Sequence, residues 1–255
     1  MNFKEMAQEI VAARQSSTPT NMDWPTPAPS REDAMAIQAE VFQQLGSPLV
    51  GWKVGATTEA AQKAFGIESP FYGPIPQSAV MSSPAKITKN QCVGACEPEY
   101  AFKMARDFPA AGEEVNPKNL AGAVDSLHIA IEVIGRAIGN PDYANGVGVT
   151  MDFGGNVVFV VGPKVEDWQN QDLTTASVES KVDGQVVETG NGEPIMGHPL
   201  NSLLWMAEQL AAKGKHLKAG EWVSTGTCTP AVPAQAGTNY TASFSTFGDV
   251  SIDFS

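Results

Sequence analysis

From residue 49 onward the sequence is written as short apolar runs, each cut off by glycine or proline. Strand-like and helical runs do not alternate regularly, which excludes a doubly wound parallel sheet. Leu49-Val50-Gly51-Trp52-Lys53-Val54-Gly55 is strand-like, and residues 60–65 suit one or two helical turns. Ser69-Pro70-Phe71-Tyr72-Gly73-Pro74-Ile75-Pro76 is expected to be irregular, because proline lacks the amide donor that a ladder needs. Residues 96–104 and 126–134 read as strands, and Val157-Val158-Phe159-Val160-Val161-Gly162 is apolar throughout, as in a buried strand. Residues 178–187 form a hairpin signal around Asp183-Gly184. Residues 201–213 carry the strongest helical period, with Leu203, Met206 and Leu210 on one face and Gly214 as the stop. Residues 240–245 and 250–254 close the chain as alternating strands.

The front of the chain differs. Residues 1–15 predict a helix with Phe3, Met6, Ile10 and Val11 on one stripe, followed by a Pro-, Ser- and Thr-rich linker over residues 16–29. Ser30 and Asp33 form an acidic capping box for a second helix. Ala34, Ile37, Val41 and Leu45 then fall on one face, and Gly46 ends it. The expected class is α+β: an N-terminal helical section over residues 1–48 and a mainly β catalytic unit over residues 49–255.

The net charge of −12 argues against nucleic acid and anionic membrane surfaces as partners. No apolar run approaches the roughly 20 residues of a membrane helix. Met1-Asn2-Phe3-Lys4-Glu5 lacks the basic and apolar regions of a signal peptide, and the three cysteines are odd in number. Reduced thiols and a cytoplasmic location are the expectation.

The chemistry centres on acids in strands. Glu97 and Glu99 stand two apart in Cys96-Glu97-Pro98-Glu99-Tyr100-Ala101-Phe102, so an extended backbone presents both on one face. Their repulsion calls for a cation or for water, and a hard ion such as Mg²⁺ favours carboxylate oxygens. A solvated edge strand is the alternative. Glu132 lies in the apolar run His128-Ile129-Ala130-Ile131-Glu132-Val133-Ile134, where a lone carboxylate is costly to bury. It calls either for Arg136 or a lysine as partner, or for a shared ion with the first two acids. Lys53, flanked by glycines, suits a substrate carboxylate or proton transfer, unless it simply faces solvent. His198 precedes the strongest helix, and Thr225-Gly226-Thr227 offers free amides for an anion or forms an ordinary turn. Phosphate-binding loops, a dinucleotide loop and a serine-hydrolase elbow are absent from the sequence.

Taken in order, Asp33-Ala34-Met35-Ala36-Ile37-Gln38, Gly51-Trp52-Lys53-Val54-Gly55, Glu97-Pro98-Glu99, Ile131-Glu132, Gly197-His198-Pro199, Leu217-Lys218-Ala219-Gly220 and Thr225-Gly226-Thr227 resemble one family. It is the 2-keto-4-pentenoate hydratase and 4-oxalocrotonate decarboxylase branch of the fumarylacetoacetate hydrolase superfamily. The resemblance implies a β-sandwich-like roll and a homo-oligomer. It implies that Glu97, Glu99 and Glu132 hold Mg²⁺ or Mn²⁺, that Lys53 is the active-site lysine, and that Gly226 and Thr227, with His198, contact the substrate. Three positions depart from the family pattern: no Asp between Ser69 and Met81, Gly135 in place of an Asp, and Asp152-Phe153-Gly154-Gly155-Asn156.

The implied activity is hydration of a 2-hydroxy-2,4-dienoate to a 4-hydroxy-2-keto acid, as in the breakdown of aromatic compounds. A decarboxylase or aldolase of the same pathway is the implied partner. The nearest alternative is metal-dependent decarboxylation of a 4-oxalocrotonate-like diacid, and a further one is a non-catalytic keto-acid binder. Hydrolysis of an acylpyruvate would use a His-Glu dyad near the N-terminus, and no histidine precedes His128.

Overall fold

Local capping sets the two N-terminal helices in the computed structural model, which describes residues 2–21 and 29–255. Helix α1 (Phe3–Ser16) starts at Asn2, whose side chain accepts the Glu5 amide while Glu5 accepts the Asn2 amide. Helix α2 (Arg31–Leu45) repeats this box with Ser30 and Asp33, and stops at Gly46 in the left-handed region. Met6, Ile10 and Val11 are buried as expected, but Phe3 is 41% exposed, because α1 turns its first residue away from the body. Of the expected linker, residues 22–28 lie outside the described residues.

Beyond α2 the elements run β1 (Leu49–Gly55), α3 (Glu59–Phe65), β2 (Phe71–Pro76), β3 (Val80–Ser82), β4 (Ala85–Ile87) and β5 (Val93–Met104). Next come α4 (Pro117–Ala121), β6 (Val124–Gly135), α5 (Gly146–Met151), β7 (Asn156–Lys164), β8 (Val178–Val182) and β9 (Gln185–Gly190). The chain closes with α6 (Pro199–Ala211), β10 (Trp222–Thr227), β11 (Val232–Pro233), β12 (Asn239–Phe244) and β13 (Gly248–Phe254).

These strands build two sheets. One runs β2-β1-β10-β5-β6-β7-β3 with β11 added beside β5, and the other runs β4-β13-β12-β8-β9. Tyr100, Phe102, Ile129, Ile131 and Val133 of the first sheet share one core with Tyr240, Phe244, Val250 and Ile252 of the second. The result is an α+β fold with two sheets face to face. The β8–β9 hairpin turns at Asp183 and Gly184, both with positive φ, as the sequence indicated.

Residues 71–76 correct an expectation. They form a full strand, antiparallel to β1, despite two prolines within it. Strand β2 is the edge of its sheet, so the missing proline amides break no second ladder. The N-terminal helices pack with Ala137, Ile138, Tyr143, Met151 and Phe153, the segment that follows β6. All three cysteines are free and buried. No helix among the described residues is long and apolar enough to cross a membrane.

Candidate metal centre and substrate cleft

Strand alternation sorts β5 into two functions. Cys96, Tyr100 and Phe102 enter the inter-sheet core, so Glu97, Glu99 and Ala101 face the other way. On β6 the same rule sends Ile129, Ile131 and Val133 inward and Glu132 outward. Register then sets Glu97 directly opposite Glu132. One carboxylate oxygen from each of Glu97, Glu99 and Glu132 lies within 4.8 Å of the others. Glu99 and Glu132 are essentially buried, at 1% and 0% exposure.

Lys53 reaches this cluster from β1. It is 2% exposed, its Nζ stands 2.9 Å from Glu132 Oε2, and it donates to the Gly154 carbonyl at 2.8 Å. With all three carboxylates ionised, the one ammonium leaves two negative charges uncompensated, the deficit that a divalent cation neutralises. Beyond the Lys53 ammonium, Glu132 Oε2 has no hydrogen-bond partner among the described residues, so a lone pair is left for an ion. The donor set is all oxygen, which suits Mg²⁺ or Mn²⁺. These residues fit such an ion.

The electrostatics agree. Burial pushes Glu97 up to about 7, with Lys53 opposing and Glu132 adding to the rise. Burial, then Glu132 and Glu97, hold Glu99 well above the usual carboxylate range. Burial pulls the Lys53 ammonium down, but Glu132, Glu97 and Glu99 outweigh it and leave its pKa above the ordinary lysine value.

Strand β10 lies between β1 and β5 and supplies the floor. Ser224 Oγ and the Gly226 amide both donate to Glu99 Oε2, the latter at 3.0 Å. Gly226 has φ +108°, and a Cβ there would sit 2.7 Å from Thr57, so the position demands glycine. Thr227 lies on the same wall and donates from Oγ1 to the Thr229 carbonyl at 2.6 Å. A cleft of about 550 Å³ opens over these groups, lined by Lys53, Glu97, Glu99, Gly226 and Thr227 and walled by Phe65, Phe71, Ile134 and Val149. A second cavity of about 590 Å³, behind Trp52, contains none of the three glutamates.

The structure thus gathers Lys53, Glu97, Glu99, Glu132, Gly226 and Thr227, and leaves His198 aside. His198 caps α6, its Nδ1 accepting the Leu200 amide at 3.0 Å, and it does not line the cleft. Three participants escaped the sequence reading: Ser224, the Gly154 carbonyl and Asn156, whose Nδ2 donates to Glu132 Oε1 at 2.8 Å. Asn156 stood as the one polar residue at the head of an otherwise apolar strand, and that was its available signal.

Residues 52–254 match the family model described as fumarylacetoacetate (FAA) hydrolase, C-terminal. The chain belongs to the fumarylacetoacetate hydrolase family. This member is 31% identical over 242 residues to a 2-keto-4-pentenoate hydratase of Paraburkholderia phymatum, covering 90% of this chain and 91% of the relative. It is 29% identical over 233 residues to a 4-oxalocrotonate decarboxylase of Pseudomonas putida, covering 87% and 84% of the two chains. Among solved structures, 4-oxalocrotonate decarboxylase from Pseudomonas putida G7, complexed with magnesium and adipate, superposes with a TM-score of 0.88 at 26% identity. That match covers 99% of this chain and 97% of the other. The same decarboxylase is also known with calcium and acetate, at a TM-score of 0.86.

Proposed function

We propose that this family member is a divalent-metal-dependent hydro-lyase that adds water to a 2-hydroxy-2,4-dienoate to give a 4-hydroxy-2-keto acid. The observation that carries the reading is the cluster of half-buried Glu97 with buried Glu99 and Glu132 beside Lys53, in a cleft walled by apolar side chains. Hydratase names among the relatives support it.

Glu97, Glu99 and Glu132 would hold Mg²⁺ or Mn²⁺. When bound, the ion supplies Lewis acidity and a chelation point for the substrate's carboxylate and 2-oxygen. Lys53, whose ammonium lies 2.9 Å from Glu132 and is favoured by the acids beside it, is placed as an anion anchor and a proton donor. Ser224 and the Gly226 amide fix the Glu99 carboxylate, so its orientation does not depend on the ligand. Gly226 and Thr227 line the wall proposed for the keto-acid end. Phe65, Phe71, Ile134 and Val149 wall the cleft for the hydrocarbon end and limit access of stray water. The reading extends to a cytoplasmic homo-oligomer in aromatic-compound breakdown, beside a decarboxylase or aldolase of the same pathway. The test is the absorbance of 2-hydroxypenta-2,4-dienoate: it falls with Mg²⁺ and enzyme, and EDTA stops the loss. Absence of turnover with every dienoate tried would sink the proposal.

One observation favours a second reading, decarboxylation of a 4-oxalocrotonate-like diacid. Arg136 is exposed and lines the cleft, where its Nη2 donates to the Asn140 carbonyl at 3.3 Å. A guanidinium there suits a distal carboxylate. Release of CO₂ from the diacid, with KM for it raised about tenfold or more by Arg136→Ala, corresponds to loss of one charged hydrogen bond and would establish this reading. An unchanged KM would exclude that role for Arg136.

A further inference from the structure

A single side chain links the N-terminal helix to the centre. Arg14, in the last turn of α1, donates from Nε to Asp152 Oδ1 at 2.8 Å. Its Nη2 donates to the backbone carbonyls of Asp152 and Asn156, both at 3.0 Å. The guanidinium also lies 4.1 Å from the centroid of the Phe153 ring. Asp152 is 3% exposed, and its other oxygen accepts the Ala137 amide. Arg14 therefore grips both ends of the turn over residues 152–156.

That turn has a conformation the backbone does not favour. Phe153, Gly154 and Gly155 have φ of +56°, +66° and +82° in succession. The glycines take this freely, but a residue with a Cβ does so only when its surroundings hold it. Two groups leave the turn for the metal centre. The Gly154 carbonyl accepts from Lys53 Nζ at 2.8 Å, and Asn156 Nδ2 donates to Glu132 Oε1 at 2.8 Å. Among the described residues these are the hydrogen bonds that the side chains of Lys53 and Glu132 make, beside their own ion pair.

We propose that Arg14 is a positioning residue for the metal centre, acting through the turn 152–156 to aim Glu132 and Lys53. A mere tether between helix and body would need one of these bonds; three bonds and a stacked ring fix the shape of the turn. Outer-shell groups that orient a metal-binding carboxylate change affinity or activity by about 10- to 100-fold. The inference rests on the reading that the three glutamates bind a divalent ion.

The experiment titrates full-length protein with Mn²⁺, following calorimetry and the frozen-solution EPR line shape, in wild type, Arg14→Ala, Arg14→Lys, Asn156→Ala and the Arg14→Ala/Asn156→Ala pair. Arg14→Ala and Asn156→Ala are each expected to weaken Mn²⁺ binding about 10- to 100-fold and to change the line shape. The double variant should be about as weak as the weaker single one, because both act through one turn. Arg14→Lys keeps the charge but cannot span three acceptors, so it should remain weakened. If Arg14→Ala does not fold, Arg14→Lys and Asn156→Ala carry the test. Wild-type affinity and line shape in Arg14→Lys, or strictly multiplicative losses in the pair, overturn the proposal while leaving the metal reading standing. Wild-type protein that binds no Mn²⁺ overturns both.

Discussion

Glu97 and Glu132 face each other across two paired strands, and only protons or a cation make that tolerable. With its pKa at about 7 in the folded, metal-free protein, Glu97 keeps its proton well above the pH at which an unfolded glutamate loses it. A raised acid contributes stability below its unfolded value, near 4.5, and loses it as pH rises to about 7. Metal-free protein should therefore lose stability over that interval, while affinity for Mg²⁺ climbs over the same interval as the ion displaces the proton. Calorimetry at pH 5.5 and 8, in buffers of different ionisation heat, reads both the affinity and the protons released. Equal affinity at the two values would contradict the assignment. Glu99→Gln keeps an acceptor for Ser224 and Gly226 but removes a charge. It should abolish metal binding and leave the melting temperature in EDTA unchanged or higher. These acids were legible because a period of two and an apolar setting make a carboxylate conspicuous. Ser224 was not, since a serine in a strand gives no sign of a glutamate 125 positions away.

Elements defined by their own residues were equally legible: the Ser30–Asp33 capping box, the Asp183-Gly184 hairpin, the β5–β6 alternation. Strand β2 was not. Its prolines forbid a central position but permit an edge, and which strand is the edge depends on the neighbours that assemble around it. His198 shows the same limit, because a histidine before a helix reads alike whether it caps the helix or binds a ligand. As a cap it must accept the Leu200 amide and so must be neutral. Burial lowers its pKa, with Asp172 opposing. A depressed histidine contributes stability above its unfolded pKa, near 6.5, and loses it as pH falls through the folded value. His198→Ala should cost about 1 kcal/mol in denaturant titrations at pH 8. His198→Asn should restore the cap and remove that acid sensitivity. A His198→Asn variant that regains stability but loses turnover would return His198 to the substrate.

The sequence divided the molecule at residue 48, yet the core does not. Met6, Ile10 and Val11 of α1 share a cluster with Met151 and Phe153, beside the turn that touches Lys53. Burial of each such side chain contributes roughly 1.5–3 kcal/mol, so deleting residues 2–17 should cost several kcal/mol. At about 2–4 °C per kcal/mol for a chain of this size, the loss should exceed about 10 °C in Tm. A truncated protein that melts like the full one would make α1 an appendage. The order of strands in the first sheet was not legible, because nothing local tells Lys53 that its neighbour is Ser224. That pairing has a consequence in time. Strand β10 separates β1 from β5, so Lys53 and Glu99 cannot be held across from each other until residues 222–227 have been made. A growing chain on the ribosome carries all three glutamates and the lysine long before it has the strand that joins them. Glu97, Glu99 and Glu132 stand on strands that pair directly, so the carboxylates can meet without β10, whereas the lysine that faces them has to wait for it.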